Sequence, residues 1–322
     1  MCNGPVSLDY RAFCHILETM APKSLPPKRL LSNDSEPQTF MPRKPSWLTV
    51  KGFGGEAFNR VNGLVREFEL STVCHEANCP NRGECFNRGT AVFMILGPNC
   101  TRGCRFCNVA SGSPSPIDPH EPQRVAMAAR KLGLRHVVIT SVTRDDLEDG
   151  GAGHFAQTIE AVRHELPEST IEVLTPDFQG SQSSLITVLD ARPDVFNHNV
   201  ETVPRLYPRV RPQANYERSL DLLRRAGLSS AARIKSGLMV GLGETREELK
   251  QVFVDLANSH VSLLTIGQYL APSRRHLPVE RFLPPEEFTL LQQEAENAGI
   301  AGVFSAPLVR SSYLADSLFA KN

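Results

Sequence analysis

The chain lacks the features that would send it to a membrane or to nucleic acid. Across its 322 residues no run approaches the roughly 18 consecutive apolar residues of a membrane-spanning helix. It lacks an excess of charge of either sign: Lys plus Arg and Asp plus Glu are both 35, so no whole-chain field draws it to a phosphate backbone, an anionic lipid surface or a highly charged substrate. No apolar stretch of the secretory kind opens it, and Asp9 and Glu18 are acidic residues of the type that transit peptides avoid. The expectation is a cytoplasmic protein with no nucleic-acid and no membrane partner. Hydrophobic residues at 41% and charged residues at 22% are ordinary globular usage. The length allows one large α/β domain with additions, or two ordinary domains. The first 45 residues hold seven prolines and no sustained periodicity, which predicts a flexible segment over 1–43.

Cysteine is missing from everything that follows Cys107, so no framework of disulfides staples the chain. A cytosolic chain of this size has no need of one. Of the eight cysteines, Cys2 and Cys14 lie in the N-terminal segment without partners at metal spacing and read as free thiols. The other six fall within the 34 residues from Cys74 to Cys107, where even scatter would place roughly one. Metal binding is the reading that explains such crowding.

Cys100, Cys104 and Cys107 have the spacing Cys-x3-Cys-x2-Cys, with Phe106 before the last. Structural zinc takes four ligands in paired knuckles, and no fourth Cys or His follows closely. A four-iron cluster normally takes four thiolates. Three would leave one iron open, and an open metal position marks a catalytic rather than a structural site. The spacing is similar to the signature of radical S-adenosylmethionine (SAM) enzymes, in which the open iron holds the amino and carboxylate groups of SAM. A zinc or redox-thiol loop is the blander alternative. Cys74, Cys79 and Cys85 form Cys-x4-Cys-x5-Cys, and Pro80 and Gly83 predict a segment that wraps round a compact object instead of continuing as a helix. This triplet also invites a cluster with one exceptional iron. His75, inside it, is either a further ligand or a local hydrogen-bonding residue.

The remainder alternates. Apolar, β-branched runs recur at 91–96, 136–142, 170–174, 195–200, 234–240 and 263–270, with helical patterns at 119–132, 151–166, 181–190, 215–226, 245–258 and 284–299. Six βα units predict a parallel sheet, either curved into a partial barrel or opened into a doubly wound sheet. Both put function at the strand C-termini. There the sequence places the Cys100 loop, Thr140 to Gly151, the Asn197 to Glu201 stretch, a glycine-rich turn at Gly241 and Gly243, and Gln268 with Tyr269. Asp145, Asp146 and Asp149 taken singly read as loop or helix-capping residues. Gly241 and Gly243 would let backbone approach an adenine, while Asn199 and Glu201 suit ribose hydroxyls.

With these motifs in order, residues 44–316 resemble the lipoyl synthase family. The matching stretches are Lys44 to Leu48, both cysteine triplets, Ile139 to Leu147, Asn197 to Thr202, Lys235 to Met239, Thr265 to Leu270 and Arg310 to Tyr313. The resemblance implies a partial (β/α)6 TIM-type barrel of the radical SAM kind over 91–295. It adds an N-terminal auxiliary-cluster extension at 44–90 and a short C-terminal extension at 296–322. It implies two 4Fe-4S clusters with SAM as co-substrate: a radical SAM cluster on Cys100, Cys104 and Cys107, and an auxiliary cluster on Cys74, Cys79 and Cys85 completed by a serine of the C-terminal motif. That serine is assigned as Ser312, with Ser311 the other candidate. Phe106, Ser141, Asn199, Glu201, Lys235 and Gly241 are the candidate SAM contacts. The implied reaction inserts two sulfur atoms, at C6 and C8, into an octanoyl group on a lysine of a lipoyl carrier protein, the auxiliary cluster being the sulfur donor. The implied partners are octanoylated carriers, such as the glycine-cleavage H protein or the acyltransferase subunits of 2-oxoacid dehydrogenases, and a low-potential electron donor such as ferredoxin or flavodoxin. Phe86, Pro98, Ile234 and Ala306 depart from the family's usual Trp, Asp, Thr and Gly. None of them is a proposed ligand. A biotin synthase-like or tRNA-modifying radical SAM enzyme would share Cys100, Cys104 and Cys107 but has no reason to carry Cys74, Cys79 and Cys85 or the C-terminal serine motif, and an iron-sulfur electron carrier or a zinc-stabilised binding module is the non-enzymatic alternative.

Overall fold

The structure, a computed structural model, describes residues 43–50, 52, 54–313 and 315. The expected flexible segment, Cys2 and Cys14 fall on residues outside these. The described residues are organised on one sheet of eight strands in sequential order. Strand β1 (Ser71–Thr72) pairs antiparallel with β2 (Val92–Ile95). From β2 onward every pairing is parallel: β3 (His136–Ser141), β4 (Thr170–Leu174), β5 (Val195–Asn197), β6 (Arg233–Val240), β7 (Leu263–Gln268) and β8 (Gly302–Ser305). The strand order never reverses, as a doubly wound sheet requires, and β8 does not pair back to β1 or β2. The result is an open, barrel-like sheet.

Helices α1 (Glu56–Glu67), α2 (Val73–Glu76) and α3 (Arg82–Asn87) precede the parallel strands. Helices α4 (Glu121–Leu132), α5 (Ala152–Glu165), α6 (Gln182–Asp190), the single turn α7 (Tyr207–Val210), α8 (Tyr216–Ser229), α9 (Arg246–Asn258) and α10 (Pro285–Asn297) cross between them. Their ends follow local chemistry. Thr245 and Glu248 form a reciprocal capping box at the start of α9, and α4 stops at Gly133, which takes a left-handed φ of 67°. The strand register stacks Phe93, Ile139, Val173, Phe196 and Ile234 across neighbouring strands. All five are buried, and each contributes about 1.5–3 kcal/mol by leaving water. A separate small core of Val61, Val65, Cys74, Phe86 and Ala91 holds the N-terminal helices together.

The six predicted βα units are all present, and a seventh parallel strand, β8, follows α10. It is four residues long and carries no alternation that would announce it. Helix α1 was not among the expected elements, although Phe58, Val61 and Val65 recur at helical spacing. The expected wrap of the upstream triplet is corrected in detail. The bend is made by Ala77 to Asn81, with Asn78 at φ 48°, whereas Gly83 and Cys85 lie inside α3.

Candidate functional site

The loop after β2 carries Cys100, Cys104 and Cys107, and backbone bonds set its shape. The Cys100 N–H donates to Ala110 O at 2.8 Å, and the Thr101 N–H to Thr143 O at 3.0 Å. The Cys100 sulfur accepts from the N–H groups of Thr143 and Arg102 at 3.3 and 3.4 Å, which fixes its position in the loop. Beneath the loop the Arg102 guanidinium, buried at 5% exposure, forks onto both oxygens of Asp145 at 2.6 and 2.8 Å and reaches Asp177 at 2.7 Å. Arg218 holds the other oxygen of Asp177 at 2.8 Å. Burial works to raise the Asp177 carboxyl, and the two guanidinium groups overcome it, holding the group well below the usual carboxylate range. Thus Asp145 and Asp177, from the β3 and β4 loops, clamp the cysteine loop through its own arginine. Asp146 pairs with Arg144 instead, and Asp149 accepts from the N–H groups of Gly151 and Gly153 at the start of α5.

The upstream triplet is held just as locally. Thr72 caps α2, which carries buried Cys74, and Cys85 lies in α3. His75 has both ring nitrogens engaged, with Thr72 Oγ1 at 2.8 Å and Asn62 Oδ1 at 3.1 Å, so it serves as a hydrogen-bonding residue. The C-terminal motif is stitched to this segment. Asn81 Nδ2 donates to Leu308 O at 2.6 Å, and the Tyr313 hydroxyl to Glu84 Oε1 at 2.9 Å, with the Tyr313 ring stacked on Phe304. Gly267 on β7 admits the tail: a Cβ there would lie 2.0 Å from Val309 O. Ser311 is occupied on both sides, donating to Asn199 Oδ1 and accepting from Asn197 Nδ2 at 2.9 Å each. The Ser312 hydroxyl makes no hydrogen bond among the described residues.

All six cysteines are unpaired thiols, and all six line one cavity of about 970 Å³ together with Ser311, Ser312, Arg310, Phe106, Ser141, Asn199, Glu201 and Arg211. Four of the six candidate SAM contacts therefore meet there. Lys235 and Gly241 do not. The Lys235 ammonium is sealed against Glu172 at 2.8 and 3.0 Å, both residues 1% exposed. Gly241 sits at φ 98°, where a Cβ would meet Gln268 Nε2 at 2.2 Å and Arg281 O at 2.4 Å, so packing accounts for its glycine. Glu201 has a left-handed φ of 66°, a cost that non-glycine residues bear mostly at functional positions. Burial raises its carboxyl, and Asn199 donates to it at 3.1 Å. Three polar atoms of the lining residues are buried and have no partner among the described residues: Ser141 Oγ, Thr175 Oγ1 and Arg211 Nε. Thr175, Arg211 and Arg102 were not expected as site residues, and Arg310, although inside the matching tail, was given no role, because single polar residues carry no spacing signal.

The donor set fits iron-sulfur clusters. Burial pushes the Cys74, Cys85 and Cys107 thiols up to about 12 and raises Cys79 and Cys104, the reverse of what a nucleophilic or redox thiol needs. A bound metal supplies the missing positive charge. Among the described residues no three His, Cys, Asp or Glu side chains converge on one metal ion. A four-iron cluster sets each thiolate on a different iron and spaces its ligands more widely.

Residues 94–256 match the model of the radical SAM superfamily. The chain is 52% identical over 281 residues to a lipoyl synthase of Alkaliphilus metalliredigens, covering 87% of this chain and 97% of that one. It is 55% identical over 275 residues to a lipoyl synthase of Caldanaerobacter subterraneus subsp. tengcongensis, covering 85% and 96%. Among solved structures it is similar to Streptococcus suis SuiB bound to S-adenosylmethionine, with a TM-score of 0.51, 10% identity, and 64% and 48% of the two chains covered. At that identity the likeness is one of fold.

Proposed function

The chain belongs to the lipoyl synthase family of radical SAM sulfurtransferases, and on that footing we propose which of its residues carry out the insertion of two sulfur atoms into a protein-bound octanoyl group. The observation that carries the proposal is that both cysteine triplets and Ser312 face one cavity at the C-terminal ends of the parallel strands. Cys100, Cys104 and Cys107 hold the cluster that binds SAM. Cys74, Cys79, Cys85 and Ser312 hold the second cluster, which is consumed as the sulfur substrate. When bound, these groups supply the one-electron chemistry that an unactivated alkyl chain demands, since it offers neither an acidic proton nor a leaving group.

The protein's own contribution is to position and to isolate. Glu201 and Asn199 suit the ribose hydroxyls of SAM, and Ser141, Thr175 and Arg211 line the same cavity, each with a buried polar atom that has no partner among the described residues. Ser312 is the better ligand of the two serines because Ser311 is spent on Asn197 and Asn199. An alkoxide is a harder donor than a thiolate and gives up a soft cluster more readily. With the alkyl chain seated in the cavity, water is displaced from the reacting carbon. The carrier protein, a low-potential electron donor and a cytoplasmic location, where thiols stay reduced, complete the proposal. Among the described residues no helix is long and apolar enough to cross a membrane.

The test is an anaerobic reaction of the full chain with SAM, a chemical reductant and an octanoyl-lysine peptide, with the product read by mass. Dithiolated peptide is expected. Cys74→Ala is expected to cleave SAM without forming it, and Cys104→Ala to do neither. Dithiolated product from Cys74→Ala would remove the sulfur-donor assignment.

A further inference from the structure

The rim of the cavity carries a pattern that its ligands do not explain. The connection from β7 to α10 runs from 269 to 284 without regular structure, long for a link between neighbouring elements. It is nevertheless pinned. The Tyr269 hydroxyl donates to Leu277 O at 2.8 Å, and the Leu277 N–H to Arg105 O at 3.2 Å. One ring nitrogen of His276 lies 3.1 Å from Cys107 O and the other 2.9 Å from Ser273 Oγ, which accepts from the Arg275 N–H at 3.2 Å.

These bonds hold residues 273–277 against the loop of Cys104 and Cys107 and gather Arg105, Arg274 and Arg275. All three are exposed. Arg105 and Arg275 also line the cavity, as does exposed Lys44, three residues before Trp47, which is 43% exposed. Arg209 pairs with Glu280 and Arg281 with Glu287, yet none of these four cations forms an ion pair among the described residues. In a chain whose charges balance, the opening is a local concentration of positive charge.

We propose that this rim docks an acidic face of the carrier protein, the face that surrounds its octanoyl-lysine. The inference rests on the lipoyl synthase reading of the cavity. An alkyl chain tethered to a protein can reach the cavity only if the surface around the tether comes to the rim. Acylation removes the charge of the tethering lysine, so nothing cationic has to pass the arginines. Carboxylates on that face pair with the rim and set the orientation in which the chain enters, an effect seen in encounter rate and weakened by salt.

The experiment uses the full chain with reconstituted clusters, comparing wild type with the double variant Arg274→Glu and Arg275→Glu. Each is assayed with an octanoylated carrier protein and with a short uncharged octanoyl-lysine peptide, under a chemical and then a protein reductant. For the variant, KM for the carrier protein rises at least about tenfold at low salt and loses its salt dependence. Turnover of the peptide and SAM cleavage stay at wild-type levels. The neutral pair Arg274→Gln and Arg275→Gln, which removes the charge without reversing it, gives an intermediate rise and stands in if charge reversal disturbs folding. An unchanged KM for the carrier overturns the proposal. So does a loss confined to the protein reductant, which would assign the rim to the electron donor. Failure of wild type to convert the peptide at all would overturn the lipoyl synthase reading instead.

Discussion

Lys235→Met separates a structural role for this lysine from the cofactor contact expected from sequence. The ammonium and Glu172 are sealed together at 2.8 and 3.0 Å, and Glu172 also accepts from Asn197 Nδ2 at 3.1 Å and faces His136 at 3.4 Å. Both partners are 1% exposed. Removing the cation alone strands a buried carboxylate, and a one-sided deletion of this kind costs about 3–5 kcal/mol. Removing both, as Lys235→Met with Glu172→Leu, takes away the stranded charge and is neutral or stabilising by about 1–4 kcal/mol. Urea unfolding of anaerobically purified protein at neutral pH, followed by circular dichroism, reads the difference. The single variant should lose the larger amount, and the double variant should recover most of it while still cleaving SAM. The pH dependence gives a second reading. Burial would raise the Glu172 carboxyl, but Lys235 overcomes it and holds it at about 2 instead of 4.5. The stability this shift contributes is present above pH 4.5 and lost as pH falls towards about 2, a loss the double variant should not show. A single variant as stable as wild type but unable to bind SAM would refute the reasoning and return Lys235 to the cofactor.

Gly267→Ala should press on the Val309 carbonyl, which cannot swing aside as a flexible side chain would, and cost about 1–3 kcal/mol. Denaturant unfolding and the spectrum of the auxiliary cluster should both change, whereas wild-type values for both would show that the tail is not seated on β7. Burial lowers His198 to about 4, with its ring held between Thr175 O and Ser219 Oγ. The unfolded chain takes up that proton near 6.5, so stability should fall as pH drops from 6.5 towards about 4. His198→Asn should flatten that slope, and an unaltered slope in thermal unfolding against pH would place the titration elsewhere. Ser312→Ala should alter the Mössbauer spectrum of the auxiliary cluster, while Ser311→Ala should leave its iron environment intact and loosen Asn197 and Asn199. The opposite pattern would exchange the two serines.

Much of the site was legible because its chemistry is written in short spacing: two cysteine triplets, Asn199 and Glu201 two residues apart, and Phe106 beside Cys107. The βα alternation was legible because each strand is an apolar run between helical patterns. What escaped depends on distance in sequence. Asn81 reaches Leu308, Arg102 reaches Asp145 and Asp177, and Glu84 reaches Tyr313, and no local pattern records such pairs. Lys235 and Gly241 were misplaced for the opposite reason. They lie in stretches that do build the site, but Lys235 turns into the barrel towards Glu172 and Gly241 packs behind Gln268. Lys235 shares a strand face with Gly237 and Met239, which line the cavity, so its depth along the strand and not the side of the sheet takes it away from the site. The family resemblance, not the composition of the tail, singled out Ser312; the hydrogen bonds of Ser311 supply the physical reason to choose between them.

The central claim is that the Cys74, Cys79, Cys85 and Ser312 site gives up the sulfur, while the Cys100, Cys104 and Cys107 site only starts the reaction. The most direct measurement reconstitutes the full chain anaerobically with heavy-isotope sulfide, adds SAM, reductant and octanoyl-lysine peptide with only light sulfur in solution, and weighs the product. Wild type should give product with two heavy sulfur atoms, and Cys74→Ala no dithiolated product. Light sulfur in the wild-type product would contradict it.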